Sequence, residues 1–244
     1  MKQPAIGAVG VKDRRDDASR GAVSALGHRL GKKIASAVVP RSMVVWRGPS
    51  TRRRGRPVGR VALTFDDGPT SLTPAYLHAL SLFHVRATFF VIGELCARRP
   101  DLVRAIAVAG HELAGHGYTH RRFPTLTRAE LEEELLLTQT LLPKSALRRP
   151  LVRPPHGAVS PASIFTCARA GFTTALWSHD SGDWRTERTT DVLAAFDDEA
   201  ASTPGAVVLL HEGQEWTMNA LPMILRKLQR EGHEVVPMGE LLHG

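Results

Sequence analysis

The sequence predicts an α/β fold built on a parallel sheet. Short β-rich runs alternate with longer helical patterns from Arg60 onward, and strands separated by helices are typical of parallel sheets. The 244 residues are 43% hydrophobic, which is enough to bury a sizeable core. Polar side chains of the kind found in active sites follow five of the seven predicted strands. These observations favour one α/β domain with a functional site along one rim of the sheet.

The predicted strands are apolar runs enriched in residues that favour extended backbone. They lie at residues 60–65, 86–92, 111–115, 150–154, 172–178, 206–211 and 233–237. The clearest helical patterns lie at 127–142 and 220–232. Thr127 and Glu130 form a capping-box pattern at the start of the first, and Gly232 ends the second. The resulting sheet is either closed into a barrel or left open.

The first 58 residues differ in composition from the rest and are called the basic leader here. Residues 1–60 contain 15 of the 32 basic residues but 3 of the 24 acidic ones, so the body of the chain is mildly acidic. Little apolar periodicity runs through the leader, and we expect it to be mostly disordered. Its "RRRGR" cluster is compatible with binding to nucleic acid or a membrane surface, or with a solubilising tail upstream of a later start at Met43. We favour the tail and expect no specific nucleic acid partner.

Residues 59–244 are therefore predicted to form the functional domain. The sequence contains neither a clear secretory signal nor an apolar run long enough for a transmembrane helix. Cys96 and Cys167 lie far apart and are expected to be small buried hydrophobic residues in a reducing compartment. We accordingly expect a cytoplasmic protein that acts as a monomer.

Two histidines and a carboxylate at the predicted strand ends suggest a metal site. His116 and His120 are separated by three residues, and such a pair alone is weak evidence for a ligand set. Asp67 follows the first predicted strand at the same rim. Two histidines and one carboxylate leave coordination positions open for water and substrate, as a hydrolytic metal site requires.

Asp66 precedes Asp67 directly, and neighbouring like charges disfavour each other. If Asp67 is a metal ligand, then Asp66 lies within reach of the attacking water and can take its proton. A simpler alternative is that Asp66 caps the turn at Gly68, but this alternative accounts for one of the two acids only.

Five motifs in order resemble the polysaccharide deacetylase family, the NodB-homology carbohydrate esterases. They are "TFDDGP" (64–69), "HGYTH" (116–120), "RPPHG" (153–157), "DSGDW" (180–184) and "LLH" (209–211). The resemblance covers residues 60–242 and implies a distorted (β/α)7-type barrel. It also implies removal of acetyl groups from sugars with the help of a divalent metal ion, usually zinc.

The resemblance assigns a role to each motif. Asp66 would be the general base, Asp67, His116 and His120 the metal ligands, and Arg153 the partner of the base. His211 would be the general acid, oriented by Asp183 and able to face the metal from across the barrel mouth. The remaining residues would contact the substrate: the backbone N–H of His156, after Pro155, at the oxyanion, and Trp184 with Leu209 around the acetyl methyl group.

The sequence departs from the family pattern in three ways. His156 stands where Tyr or Phe is usual, which leaves the backbone role intact but changes a side chain near the substrate. Gly115 and Gly117 flank the first metal histidine where polar residues are common, so the support of that histidine is in question. Glu212 replaces the usual Asp after His211, a change that we expect to be tolerated.

Other polar and aromatic residues near the motifs rank lower. Asp180 is expected to brace its loop, and His179 and His233 to be structural or surface residues. Trp177 lies within a strand pattern and is expected in the core. Trp216 lies just beyond His211 and is the better candidate for stacking on a sugar ring.

The sequence therefore predicts a metal-dependent deacetylase acting on an N-acetylated glycan or glycolipid. The same site could act on an O-acetyl ester such as acetylxylan, or on an amide that is not a sugar. From another class, the chain could be a nucleic-acid or membrane-surface binder with a silent barrel. A silent barrel would be expected to lack at least one residue of the catalytic motifs, and all are present.

Overall fold

Parallel strands alternate with helices through the chain, as predicted. The computed structural model describes residues 40–50, 59–144, 150–197 and 199–243. The strands are β1 (Val44–Val45), β2 (Arg60–Gly68), β3 (Thr88–Val91), β4 (Glu112–Gly115), β5 (Leu151–Val152), β6 (Thr173–Ala175), β7 (His179–Asp180), β8 (Val207–His211) and β9 (Glu234–Val235).

The described residues form nine α-helices, eight of them between these strands and the ninth after β9, and they cover the outside of the sheet. They are α1 (Thr73–Leu82), α2 (Gly93–Arg98), α3 (Pro100–Val108), α4 (Arg128–Thr140), α5 (Pro161–Arg169), α6 (Thr189–Ala194), α7 (Glu199–Ser202), α8 (Glu215–Arg230) and α9 (Met238–His243). Both helices predicted from periodicity are confirmed, with α8 beginning five residues earlier than expected. Of the helices that the structure describes, none is long and apolar enough to cross a membrane.

The sheet curls into a distorted barrel. All strand pairs are parallel, and the order is β1-β6-β5-β4-β3-β2-β8-β7, with β9 also on β2. Strands β6 and β7 lie towards opposite ends of this order, yet only residues 176–178 separate them in the chain. The four Cα–Cα steps from Ala175 to His179 span at most about 14 Å, so the two sides of the sheet must come close together. This geometry confirms the predicted barrel-type fold.

Strand β1 shows that part of the predicted leader belongs to the folded domain. Val44 and Val45 are buried and pair with β6, and the Thr173 hydroxyl donates a hydrogen bond to the Ser42 carbonyl at 3.0 Å. The compact unit accordingly begins at Ser42 rather than at residue 59. The rest of the leader, residues 1–39 and 51–58, lies outside the described residues, and its role stays a prediction.

The core explains why apolar strands end in polar residues. Val61, Leu63 and Phe65 of β2 are completely buried against helices on the outside of the sheet. The opposite face of β2 points into the barrel, where space is limited and polar groups need partners. Cys96 and Cys167 are buried and free, and burial raises the pKa of each thiol to about 12. Both cysteines are therefore inert packing residues, as expected.

Helix α4 begins at the predicted capping box. The Thr127 side chain accepts a hydrogen bond from the backbone N–H of Glu130, and the Glu130 side chain accepts one from the backbone of Thr127. This cap fixes the start of the helix and therefore which residues face inward. Leu131, Glu134, Leu135 and Thr138 form that buried face.

Candidate active site

The side chains singled out in the sequence lie at the carboxyl ends of the strands. Asp66 and Asp67 end β2, His116 follows β4, and Arg153 follows β5. His211 ends β8. Because all these strands are parallel, their carboxyl ends form one rim. The prediction that the functional residues share a rim is confirmed.

A local irregularity in β2 brings both aspartates to this rim. Consecutive residues of a regular strand point to opposite faces, so two adjacent acids would normally diverge. Here the pairing of β2 with β3 shifts register between Asp66 and Gly68, and Asp67 has a φ of 70°. Asp tolerates this left-handed conformation better than most residues. The turn redirects the Asp67 carboxylate towards the histidines.

Asp67, His116 and His120 form a cluster that fits a metal ion. Their ligand atoms all lie within 4.8 Å of one another. Asp67 Oδ1 lies 3.4 Å from Nε2 of His116 and 3.1 Å from Nε2 of His120. Burial opposes ionisation of Asp67, but the two imidazoles outweigh burial and hold the pKa of its carboxyl well below the usual range.

The hydrogen bonds around the cluster support this interpretation. His116 Nδ1 lies 2.8 Å from the Arg153 carbonyl, which can only accept, so Nδ1 carries the proton and Nε2 is left to bind. Within the described part of the chain, Asp67 Oδ1 is buried and accepts no hydrogen bond. A nitrogen lone pair and a carboxylate oxygen facing each other repel unless a proton or a metal cation lies between them. The three residues therefore fit a divalent metal ion.

Asp66 is held by a fully buried arginine. Arg153 Nη1 lies 2.7 Å from Asp66 Oδ1 and donates a second hydrogen bond to the Thr64 hydroxyl, also at 2.7 Å. The Arg153 guanidinium stacks 3.9 Å from the centre of the Phe90 ring. The other oxygen of Asp66 lies 3.6 Å from His116 Nε2. Asp66 is thus fixed with one oxygen on Arg153 and the other towards the metal cluster.

His211 is held by Asp183. The two oxygens of Asp183 accept hydrogen bonds from Nδ1 and the backbone N–H of His211, both at 2.7 Å. The Thr217 hydroxyl adds a third at 2.9 Å. Burial disfavours the charged imidazole, but the hydrogen bond and the charge of Asp183 outweigh burial and raise the pKa of His211 to about 9. His211 is therefore protonated at neutral pH.

His211 and Asp66 are register partners on the neighbouring strands β8 and β2. Partner residues on adjacent parallel strands point to the same face and lie about 5 Å apart along the sheet. The two residues are therefore neighbours, with Asp66 bound to Arg153 and His211 bound to Asp183. That His211 faces the metal from across the barrel mouth stays a prediction.

The residues expected around the substrate lie close to the cluster or next to its members. His156 has a φ of 57°, and its ring centre lies 4.7 Å from that of His120. Pro155 begins the 3₁₀ turn that contains His156. Trp184, next to Asp183, is 54% exposed, whereas Leu209 is buried two residues before His211. Their shared pocket around the acetyl methyl group stays a prediction.

Lower-ranked residues are found in supporting positions. Trp177 is buried, as expected, and Asp180 accepts a hydrogen bond from the backbone N–H of Gly182, which braces its own loop. Trp216 is half-buried, and its indole N–H donates to the Asp183 carbonyl at 2.8 Å. Glu212 is buried and accepts a hydrogen bond from the backbone N–H of Thr70 at 3.1 Å, which ties the end of β8 to the loop after β2.

Sequence reasoning missed two polar residues that support the site. Thr64 donates to the Val208 carbonyl at 2.7 Å while accepting from Arg153. Its signal was a hydroxyl two residues before Asp66 in an otherwise apolar strand, hence on the same face. Glu134 is buried against the loop that carries the metal histidines. Its signal was an acid placed between Leu131, Leu135 and Thr138 on the inward face of a helix.

The chain is similar in sequence to known deacetylases. The chain is 35% identical over 199 residues to a chitooligosaccharide deacetylase from Bradyrhizobium sp. (strain ANU 289), covering 74% of this chain and 90% of that protein. It is 33% identical over 209 residues to a peptidoglycan-N-acetylglucosamine deacetylase from Bacillus cereus, covering 83% and 94%.

Solved structures resemble the fold closely. A peptidoglycan N-acetylglucosamine deacetylase in complex with 4-naphthalen-1-yl-N-oxidanyl-benzamide has a TM-score of 0.74 at 27% identity, covering 82% of this chain and 93% of that chain. A family 4 carbohydrate esterase from Streptomyces lividans in complex with acetate has a TM-score of 0.65 at 34% identity, covering 72% and 91%. A pseudoenzyme of carbohydrate esterase family 4 from Bacillus anthracis has a TM-score of 0.72 at 25% identity, covering 82% and 68%.

A sequence model described as polysaccharide deacetylase matches residues 53–175, which include Asp66, the Asp67–His116–His120 cluster and Arg153. With this match, the two relatives and the geometry of the rim, the chain belongs to the polysaccharide deacetylase family.

Proposed function

We propose that this protein hydrolyses the acetamido group of an N-acetylated glycan with the help of a divalent metal ion. The observation that carries the proposal is the pairing of Asp66 with Arg153 and of His211 with Asp183 beside one metal cluster. The first pair keeps a carboxylate ready to accept a proton, and the second keeps an imidazolium ready to donate one.

The metal is proposed to be zinc, held by Asp67, His116 and His120. Two imidazole nitrogens and one carboxylate oxygen form a donor set typical of hydrolytic zinc sites. When bound, such an ion supplies Lewis acidity, which polarises the acetyl carbonyl and makes water a stronger acid.

The base and the acid act in sequence. Asp66 accepts the proton of the attacking water while Arg153 keeps its carboxylate in place. An amine leaves a tetrahedral intermediate poorly unless it is protonated, and His211 supplies that proton from Nε2 because Nδ1 is bonded to Asp183. Asp66 thus gains one proton and His211 loses one, so the total number of protons on these two neighbouring residues does not change.

Backbone and side chains around the cluster are proposed to position the acetyl group. The backbone N–H of His156 donates to the developing oxyanion, and Pro155 fixes the turn that presents it. Trp184 and Leu209 contact the acetyl methyl group. The imidazole of His156, close to His120, lies where it can contact the sugar and is a candidate determinant of substrate choice.

The substrate class follows from the relatives and has a direct test. We propose β-linked N-acetylglucosamine polymers, of the chitooligosaccharide or peptidoglycan type, because relatives named for both are similar along most of their length. Purified protein with added Zn²⁺ should release acetate from these substrates. Release from acetylxylan alone would instead favour the O-acetyl esterase function, and release from neither would point to an amide that is not a sugar.

A binding protein with an inactive barrel is the competing proposal from another class. Similar folds include a pseudoenzyme, so the fold alone does not decide between them. The present chain keeps the base, the three metal ligands and the acid. Salt-dependent retention on DNA that is lost on removal of residues 1–58, without any acetate release, would support the binder. Cytoplasmic location and a monomeric state stay predictions.

A further inference from the structure

The loop that carries both metal histidines has a demanding backbone conformation. Between His116 and His120, Gly117 has a φ of 76°, and His120 itself has a φ of 59°. A non-glycine residue in the left-handed region costs of order 1 kcal/mol, and it persists only where surrounding contacts hold it. The spacing of the two imidazoles depends on this conformation.

The carbonyl groups of the loop are held by the start of α2. The backbone N–H groups of Gly93 and Glu94 donate to the carbonyls of Gly117 and Tyr118, both at 2.9 Å. These bonds fix one edge of the loop and leave its N–H groups pointing the other way. Neither Gly115 nor Gly117 offers a side chain that could hold that second edge.

Glu134 of α4 holds the second edge. Its Oε2 accepts hydrogen bonds from the backbone N–H groups of Tyr118 at 2.5 Å and of Thr119 at 2.9 Å. Its Oε1 accepts a further hydrogen bond from the Thr119 hydroxyl. Glu134 is 6% exposed, and a Cβ at position 117 would lie 3.3 Å from its Oε2. The carboxylate thus lies directly against the loop, where a glycine permits its approach.

We propose that Glu134 is a positioning residue that fixes the loop from His116 to His120 in its metal-binding conformation. The inference rests on the proposed metal site and adds a residue that contacts neither metal nor substrate. A carboxylate suits this position because both of its oxygens only accept hydrogen bonds, and all three neighbouring groups donate. A glutamine would direct an amide N–H₂ at one of these donors.

Loss of the Glu134 carboxylate should lower the affinity for the metal more than it lowers the catalytic rate of the metal-loaded protein. Without Glu134, the two backbone N–H groups lose their partner, and the left-handed residues of the loop relax. The free protein would then sample loops in which the imidazoles of His116 and His120 diverge. Metal binding would have to restore the ordered loop, so the affinity for the metal would fall.

The test compares two isosteric changes on the same helix. Glu134→Gln replaces one of the two acceptor oxygens with an amide N–H₂ donor and removes the negative charge, whereas Glu133→Gln makes the same change at an exposed neighbouring position. Full-length proteins are stripped with a chelator and titrated with Zn²⁺ by calorimetry. We expect Glu134→Gln to raise the Kd for Zn²⁺ roughly 10- to 100-fold, as is typical for residues that support metal ligands. Glu133→Gln should stay within twofold of the parent.

Kinetics separate positioning from general structural damage. At saturating Zn²⁺, the kcat and KM of Glu134→Gln should return close to those of the parent. The bound metal then holds the loop in its ordered conformation. A low kcat that saturating Zn²⁺ does not restore, together with an unchanged Kd, would overturn the proposal.

A milder variant covers the case in which Glu134→Gln does not fold. Thr119→Val removes one of the three donors at an exposed position and should weaken Zn²⁺ binding severalfold. If Thr119→Val and a folded Glu134→Gln both bind Zn²⁺ as the parent does, the proposal is wrong. Zn²⁺ titration does not require substrate, so a failure of the proposed deacetylation would appear separately, as absence of acetate release by the parent.

Discussion

Arg153 contacts both Asp66 and the metal cluster, through its side chain and its backbone respectively. Its guanidinium binds the Asp66 carboxylate, and its carbonyl accepts from His116 Nδ1. The side chain is completely buried, so its charge depends on Asp66 for compensation. The tautomer of His116 and the placement of the Asp66 carboxylate are therefore both set by Arg153, directly after β5.

The first prediction concerns the acid. His211→Ala should bind Zn²⁺ normally but lose roughly 100-fold or more in kcat on an N-acetylated substrate, because general acid catalysis typically contributes 10²- to 10⁴-fold. The loss should be smaller on an O-acetyl ester, whose leaving alkoxide needs less protonation than an amine. Steady-state acetate release from both substrates measures the difference. Near-full activity on the amide would show that another group is the acid.

The second prediction concerns the pH dependence that Asp183 imposes. The acid must be protonated to act, and a pKa raised to about 9 keeps His211 protonated through neutral pH. Activity should therefore fall as the pH rises through about 9. Asp183→Asn removes the charge that raises this pKa, so the alkaline limb of the kcat profile should move to lower pH. An unchanged alkaline limb in Asp183→Asn would mean that a different group controls it.

At the scale of elements, the loop from His116 to His120 is held between two helices. The start of α2 binds its carbonyls, and α4 binds its N–H groups. Gly93 is at the closest point of this contact, where a Cβ would lie 2.4 Å from Cδ2 and 3.0 Å from Cα of Tyr118. This contact leaves no room for a side chain on the α2 side.

The third prediction uses two glycines near the loop. Gly93→Ala should displace the loop, lower the free energy of unfolding by about 1–3 kcal/mol and weaken Zn²⁺ binding. Gly115→Ala should be tolerated although it adjoins His116, because its Cβ would meet only Thr138 Cγ2 at 3.5 Å and Val152 Cγ2 at 3.8 Å. Chemical denaturation and Zn²⁺ titration of both variants provide the comparison. Equal effects of the two changes would contradict this arrangement.

At the scale of the whole molecule, the sheet is completed from both ends of the chain. β1 pairs with β6 near the amino end, and β9 pairs with β2 near the carboxyl end. Gly48 also donates to the Gly205 carbonyl at 2.9 Å. β9 pairs with the amino end of β2, whereas Asp66 and Asp67 lie near its carboxyl end. β1 lies at the end of the strand order.

The fourth prediction distinguishes two truncations. Removing residues 1–58 deletes β1, and the burial of Val44 and Val45 is worth about 1.5–3 kcal/mol each at most. The Tm should therefore fall by roughly 5 °C or more in a chain of this size. Removing residues 1–39 should leave the Tm unchanged. Both proteins should keep kcat/KM within severalfold of the full chain at 25 °C, and a large loss with 1–39 removed would give the leader a role in the site.

The sequence by itself determined the fold class and the identity of the chemical groups. Apolar runs such as Val61–Phe65 favour extended backbone by themselves. The helices between the runs then make the strands parallel. Strand ends then bring Asp66, His116 and His211 to one rim, whatever the details of packing. The local pattern of Thr127 and Glu130 likewise decided where α4 begins, because a capping box involves neighbours in the chain.

Tertiary structure alone decided the directions of the side chains and their partners. The redirection of Asp67 depends on a register shift between β2 and β3, and the neighbouring positions of Asp66 and His211 depend on the pairing of β2 with β8. The inclusion of β1 in the sheet depends on the free edge of β6. Each feature arises from contacts between residues far apart in the chain, whose geometry no local propensity encodes.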